Sequence, residues 1–210
     1  MNDVTMPDLI RLFDRVADAI EADKDRLCQL DGVIGDADHG VTMSIGFTAV
    51  RAALKTLDPA TAEPTAVFNL AAKSFLNAVG ASSGPLYATA FMRAGAAVKG
   101  RATLDRDAMV AVVAAMSKGI QDRGKGERGD RTMLDAWIPA AEAAEAAASA
   151  GKDLAGCLEA AVAAAASGAE ATKAMVASKG RAARLGDRVL GHMDPGAASA
   201  VTILKALAKA

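Results

Sequence analysis

The stretch "LIRLFDRVADAI" (residues 9–20) sets the class of the fold, because its apolar residues follow a helical period. Four of them recur at intervals of three or four positions, as on one face of an α-helix: Leu9, Phe13, Val16 and Ile20. Thr5 and Pro7 precede this face, and a threonine cap followed by a proline is a helix-start signal. The sequence therefore opens with a predicted amphipathic helix.

The same periodicity continues through most of the chain, interrupted by clusters of glycine, proline and charged residues. It predicts seven further helices, over residues 42–57, 65–79, 84–99, 105–122, 132–149, 153–178 and 195–209. The stretch closest to a β-strand is "MVAVVAAM" (residues 109–116), but its alanines and a cap residue at Asp105 favour a helix. We therefore predict an all-α fold of eight helices packed as antiparallel neighbours, in a single domain over residues 1–210.

Composition argues against several classes of protein. With 210 residues, 52% hydrophobic, and a formal net charge of -1, the chain can form one core and lacks the charge of a nucleic-acid-binding protein. The alanine-rich stretch 154–176 contains Glu159, Glu170 and Lys173, which argues against a membrane span. The chain opens without a signal-type apolar segment, and Cys28 and Cys157 lack a CxxC spacing. We expect a cytoplasmic protein with no nucleic-acid or membrane partner.

The stretch "DGVIGDADHG" (residues 31–40) interrupts the helical pattern with three carboxylates and three glycines. On a continuous helix Asp31 and Asp38 would stand roughly 10.5 Å apart along the axis, too far to share one ion. The glycines let the chain fold back, so Asp31, Asp36 and Asp38 can converge. Carboxylate oxygens are the ligands that small hard cations prefer, and we therefore predict a metal-binding loop.

Two other interpretations of this stretch assign its aspartates differently. An EF-hand is excluded, because the spacing of the acidic residues is wrong and the glutamate at the twelfth position is absent. The simpler alternative is that Asp36 or Asp38 caps the following helix while the other carboxylates face water. Three aspartates together with three glycines favour the metal loop.

Two glycine-containing stretches offer groups that suit a phosphate. "GASSGPL" (residues 80–86) places serine hydroxyls and free N–H groups at a helix start, although an ordinary serine cap has the same pattern. "RGKGERGDRTM" (residues 123–133) follows a helix rather than a strand, which excludes a Rossmann fingerprint. It predicts either a mobile loop over a polyphosphate or a solvated connection, with Asp130 capping the next helix.

The stretch "GRAARLGDRVLGHMDPGAAS" (residues 180–199) concentrates arginine in front of a helix start. Its Arg181, Arg184 and Arg188 suit either phosphate oxygens or surface ion pairs. Asp194 and Pro195 then form a capped first turn. The chain has no Walker A sequence, so a nucleotide site here is of another kind.

Four motifs together carry a resemblance to a known family. They are "DGVIGDADHGVTMSIGF" (31–47), "ASSGPLYATAF" (81–91), "GDRTMLDAWIPA" (129–140) and "GRAARLGDRVLGHMDPGAAS" (180–199). In order and spacing they resemble the nucleotide-binding L subunit of dihydroxyacetone kinases over nearly the whole chain. The resemblance implies an eight-helix antiparallel up-and-down barrel with ADP or ATP bound at one end.

The same resemblance implies roles for individual residues. Asp31, Asp36 and Asp38 would hold two Mg²⁺ ions that grip the nucleotide phosphates. The implied nucleotide contacts are His39, Gly40, Val41, Thr42, Ser82, Ser83, Gly124, Met133, Arg181, Asp194, Pro195 and Gly196. No side chain is assigned as a catalytic nucleophile, because metal-held phosphates need positioning and charge stabilisation instead.

The resemblance also implies partners. In the family a separate K subunit binds the short-chain ketose covalently through its own histidine, so neither His39 nor His192 receives that role. The phosphoryl donor is either exchanging ATP or a phosphocarrier protein of the sugar phosphotransferase system that rephosphorylates bound ADP, and a stand-alone chain favours the second. The ketose is dihydroxyacetone or a relative such as erythrulose, and the chain is a monomer or a homodimer. The competing hypothesis is a nucleotide-binding regulatory module without net catalysis.

Three positions depart from the family pattern. The family commonly has asparagine where this chain has Thr42, glycine at Ala37 and an aromatic residue at Arg184. Thr42 keeps a hydroxyl for a phosphate contact but loses the amide. The aspartate loop of fatty acid kinases is similar, but "GDADHG" with its histidine fits the ketose kinase branch better.

Overall fold

The computed structural model describes residues 3–209, and within them the regular secondary structure is helical apart from one isolated β-bridge between Val4 and Leu104. The eight α-helices are α1 (Met6–Gly32), α2 (His39–Leu54), α3 (Pro64–Ala78), α4 (Ser83–Ala97), α5 (Arg106–Gly124), α6 (Leu134–Ser149), α7 (Leu154–Ala171) and α8 (Pro195–Leu207). Two 3-10 segments, Thr172–Ala174 and Arg181–Val189, lie between α7 and α8. The predicted all-α class and the eight helices are confirmed.

Side-chain caps form at four of the eight α-helix starts, three of them at the residues that the sequence predicts. Thr5 and Asp8 form a capping box at α1, with Pro7 in the first turn. Three aspartates cap later helices by accepting an N–H from the first turn: Asp105 from Ala108 at 2.7 Å, Asp153 from Gly156 at 2.9 Å and Asp194 from Ala197 at 2.8 Å. These local signals explain why most predicted bounds shift by only a few residues.

The predicted helix 153–178 is too long, because α7 ends at Ala171. Thr172 accepts the backbone N–H of Asp194 at 2.9 Å through its hydroxyl, and the backbone at Met175 is extended. This contact between distant parts of the chain overrides the helix propensity of the alanine run. Residues 172–193 therefore form a separate segment, the α7–α8 connection.

The eight helices form a closed ring. Each helix packs against the next along the chain, and α8 packs against α1. The few aromatic residues gather inside the ring in edge-to-face or tilted contacts, with ring centroids 5.2 Å apart for Phe47 and Phe75 and 5.5 Å apart for Phe75 and Tyr87. A single continuous apolar core thus supports the ring.

Small residues let the helices approach closely. A Cβ on Gly168 of α7 would lie 1.9 Å from the carbonyl oxygen of Asp135 in α6, which brings the two backbones into contact. Among the described helices, only the one that continues from α7 to Ala174 is long and apolar enough to cross a membrane. Its packing against α6 and α8 identifies it as part of the barrel wall.

We expect Gly168→Ala to lower the free energy of unfolding by about 1–3 kcal/mol, because the added methyl overlaps a backbone carbonyl. Gly156→Ala in the same helix is the control, since its Cβ would meet side chains no closer than 3.2 Å. Urea unfolding followed by circular dichroism measures both. Equal midpoints for the two variants would contradict the close packing of α6 and α7.

Candidate functional site

A cavity of about 470 Å³ opens at one end of the barrel, within the size range of small-molecule sites. The first turns of α2, α4, α6 and α8 line it, through Thr42, Ser83, Leu134 and Gly196 among others. Four helix N-termini therefore meet at one place. Their free N–H groups and positive dipole ends favour an anion there.

The three predicted metal ligands come together at this cavity. One carboxylate oxygen each from Asp31, Asp36 and Asp38 lies within 4.8 Å of the other two. Asp38 precedes α2 but makes no capping hydrogen bond. Asp31 Oδ2 instead accepts the N–H groups of Asp38 at 3.0 Å and His39 at 3.3 Å. The carboxylates of Asp36 and Asp38 are therefore not used as caps, and the oxygen-rich group suits a hard divalent cation.

The backbone of the segment 31–38, called the aspartate loop below, explains two of its small residues. A Cβ on Gly35 would lie 2.3 Å from Asp31 Oδ1, so a larger residue would displace that carboxylate. Ala37 has a φ of 61°, in the left-handed region that glycine adopts without strain. The glycine that the resembled family commonly has at this position therefore has a conformational reason.

The surroundings shift the pKa values of Asp36 and Asp38 in opposite directions. An ion pair with Arg181 lowers the pKa of Asp36. Burial, together with the charges of Asp36 and Asp31, raises the pKa of Asp38. Three carboxylates facing one arginine leave an excess of negative charge that a cation would neutralise.

Ten of the twelve predicted nucleotide contacts line the cavity, namely His39, Thr42, Ser82, Ser83, Gly124, Met133, Arg181, Asp194, Pro195 and Gly196. Ser82 stands at the N-cap of α4 without a side-chain capping bond, so the ordinary serine cap is not formed. Gly40 and Val41 do not line the cavity. A Cβ on Gly40 would lie 2.0 Å from the carbonyl oxygen of Lys24, which assigns this glycine to the packing of α1 against α2, and Val41 is 44% exposed.

The ring of His39 joins the aspartate loop to α8. Its Nε2 lies 2.9 Å from the Ser199 hydroxyl, which donates to the carbonyl of Gly196 at 3.0 Å. The hydroxyl hydrogen is thus used, so Nε2 acts as the donor. Burial lowers the pKa of His39, which favours the neutral ring. The imidazole therefore stabilises the contact between the start of α2 and α8.

One wall of the cavity is apolar, through Leu86, Ile120, Met133 and Leu134. Only Met133 belongs to the sequence-based set. The other three look like ordinary core positions at the ends of helices, and only the folded barrel shows that they face a cavity. This wall suits a flat apolar group such as a nucleobase.

The loop between α5 and α6 differs from its prediction. Asp130 does not cap α6, because its carboxylate accepts the N–H of Glu127 at 2.8 Å and the hydroxyl of Ser178. Asp135 in the first turn of α6 accepts the N–H groups of Gly129 at 2.6 Å and Thr132 at 2.8 Å instead. The loop is a hydrogen-bonded turn beside the cavity rather than an open cover.

The α7–α8 connection forms the outer wall of the site. Ala177 and Val189 pack with Ile34 of the aspartate loop in a small apolar cluster separate from the main core. Arg181 extends from the same connection to Asp36. Burial raises the pKa of Asp194, at the end of the connection, to about 6. The connection and the aspartate loop are thus joined by apolar and charged contacts.

Comparison with known proteins shows the family of this chain. The family model described as the DAK2 domain matches residues 33–209. Two curated relatives are ADP-binding subunits DhaL of PEP-dependent dihydroxyacetone kinases: one from Listeria innocua is 37% identical over 90% of this chain and 87% of its own length, and one from Escherichia coli is 37% identical over 96% and 95%. The dihydroxyacetone kinase of C. freundii, solved with AMP-PNP and Mg²⁺, superposes with a TM-score of 0.71 at 28% identity over 96% of this chain and 33% of that chain.

We expect Ala37→Gly to raise the free energy of unfolding by up to about 1 kcal/mol, because glycine has no Cβ and adopts the left-handed conformation without steric strain. The control is Ala163→Gly on the exposed face of α7, where glycine should lower stability by a similar amount. Urea unfolding measures the free energy of unfolding of both variants. A destabilised Ala37→Gly variant would contradict the strained conformation.

Replacing Asp38 by asparagine should weaken divalent-cation binding more than about tenfold, because the cluster loses one of three charged ligands. Mn²⁺ titration followed by electron paramagnetic resonance measures this. Asp25→Asn, on an exposed position of α1, is the matched control. Equal affinities for the two variants would show that the cluster does not bind the cation.

Proposed function

The chain belongs to the DAK2 domain family, and we propose that it is the ADP-binding subunit of a PEP-dependent dihydroxyacetone kinase. One observation carries this proposal: three converging carboxylates stand at the mouth of a cavity that four helix N-termini face. Such a site binds an anion and a cation together. A metal-complexed nucleotide diphosphate has this chemistry.

The residues present suit Mg²⁺ as the cation, and Asp31, Asp36 and Asp38 would hold two such ions. When bound, the metal neutralises phosphate charge and orients the transferring group. The first turns of α2 and α4 would bind phosphate oxygens, through the backbone and through Thr42, Ser82 and Ser83. Arg181 would supply a further positive charge. Each of these groups positions the phosphates without forming a covalent bond.

The nucleoside would lie deeper in the cavity. The apolar wall of Leu86, Ile120, Met133 and Leu134 suits the adenine, and the turn of Asp194, Pro195 and Gly196 lines the same pocket, with Gly196 next to Met133. Gly124 lies where the end of α5 meets this pocket. His39 would act through its bond to Ser199 by fixing the aspartate loop against α8.

A second protein should hold the ketose. This chain spans 33% of the C. freundii kinase chain, which supports a ketose site outside the part that the two proteins share. We propose that a separate K subunit presents dihydroxyacetone, or a similar ketose such as erythrulose, at the aspartate end of the barrel. We also propose that a phosphocarrier protein of the sugar phosphotransferase system rephosphorylates the bound ADP. The protein would work in the cytoplasm as a single domain.

The proposal predicts that ADP stays with the purified chain through dialysis against Mg²⁺ buffer. With the K subunit, PEP and the phosphocarrier proteins, the chain should then support many turnovers of dihydroxyacetone phosphorylation. Free ATP with the K subunit alone should support no repeated turnover. Nucleotide content by chromatography and product formation by a coupled assay measure the two effects.

Two variants make this test specific. Asp36→Asn should lower turnover at least about a hundredfold, because it removes a ligand charge at the phosphates. Asp25→Asn should leave turnover unchanged, since its carboxylate lies on an exposed part of α1. Retained ADP with no phosphoryl transfer to any ketose would instead support a regulatory nucleotide-binding module.

A further inference from the structure

Arg131 lines the cavity and carries a buried guanidinium to which no role has been assigned above. Its side chain is 0% exposed, and its backbone has a φ of 59° in the turn before α6. Nη2 donates to the carbonyl of His192 at 2.7 Å, and the carbonyl of Val189 lies 3.4 Å away. Nε and Nη1 find no hydrogen-bond partner among residues 3–209. The burial of this charged side chain needs an explanation, because removing a guanidinium from water has a large cost in free energy.

The contacts of Arg131 join two walls of the nucleotide cavity. On one side its backbone leads directly into Thr132 and Met133, which line the cavity. On the other side its guanidinium binds the end of the α7–α8 connection, just before the Asp194 turn. Nη1 lies 3.8 Å from Asp194 Oδ1, so Arg131 is also the cation that faces this buried carboxylate.

A second tether starts from the neighbouring residue. The carbonyl of Asp130 accepts the backbone N–H of Ser178 at 3.2 Å, and its carboxylate accepts the Ser178 hydroxyl. Asp130 and Arg131 therefore hold the α7–α8 connection at two points, Ser178 and residues 189–192. Arg181 lies between these points, so the tethers fix the part of the connection that faces the aspartate cluster.

Arg131 lines the cavity, but its Nε and Nη1 atoms are inaccessible, so they do not offer a direct hydrogen bond to a ligand. Its guanidinium instead acts on the connection that it holds and on Asp194, which it faces. We propose that Arg131 is a positioning residue that clamps the α7–α8 connection against the start of α6, and that this clamp sets how long ADP remains bound. The inference rests on the proposed function for the identity of the ligand.

The test uses the full chain and compares Arg131→Met with Arg131→Lys. Arg128→Met is the matched control, because Arg128 lies in the same loop but forms an exposed ion pair with Glu142 at 2.6 Å. Stopped-flow fluorescence measures the dissociation of a fluorescent ADP analogue, and hydrogen exchange measures amide protection segment by segment. Mn²⁺ affinity is followed in parallel.

We expect Arg131→Met to release the analogue at least about tenfold faster, since it removes hydrogen bonds from a charged donor. Arg131→Lys should be intermediate, and Arg128→Met should match the unchanged protein. Nucleotide-free Arg131→Met should lose protection in residues 175–193 while α1 to α5 keep theirs. Mn²⁺ affinity should change less than twofold.

An unchanged release rate in Arg131→Met would overturn the proposal. If that variant loses protection throughout, Arg131→Lys decides: faster release with intact helices supports the clamp, and an unchanged rate overturns it. If the proposed function is wrong, the protein without substitutions does not bind the ADP analogue. This outcome differs from an unchanged release rate, which contradicts the clamp alone. The protection pattern of nucleotide-free protein still tests the clamp in that case.

Discussion

The site depends on the alternating direction of the helices. In a closed ring of antiparallel helices every second N-terminus lies at the same end, and here α2, α4, α6 and α8 all begin at the cavity. The free N–H groups there favour negative charge, whereas the three aspartates beside them favour positive charge. A phosphate alone would be repelled by the carboxylates, whereas a cation bound by them would remove that repulsion. A metal–phosphate complex would match both sets of groups, in agreement with the proposed function.

Close helix packing makes this arrangement compatible with a small barrel. Glycine at positions 40 and 168 lets backbones touch, and the aromatic side chains fill the interior that the small residues leave. The helix ends are thereby held at fixed distances around the cavity. Rigid elements of this kind preorganise a site better than loops do.

Much of this architecture follows from local patterns. Helical periodicity and the caps at Thr5, Asp105 and Asp194 predict the helices, and the spacing of the three aspartates predicts their convergence. Contacts between distant residues are what local patterns miss. The hydroxyl of Thr172 ends α7 early because Asp194 comes close only in the folded chain. In the sequence Arg131 suits either a loop over a polyphosphate or a solvated connection. Its burial depends on two carbonyls that lie 58 and 61 residues away along the chain.

The small cluster of Ile34, Ala177 and Val189 has a consequence for engineering. It is not continuous with the main core, so the aspartate loop and the α7–α8 connection can open together while the ring stays folded. Heat resistance of the barrel and residence time of the nucleotide are then separate properties. Substitutions that stabilise the main core would raise the melting temperature without slowing nucleotide loss. Substitutions that stabilise this cluster would slow nucleotide loss without raising the melting temperature.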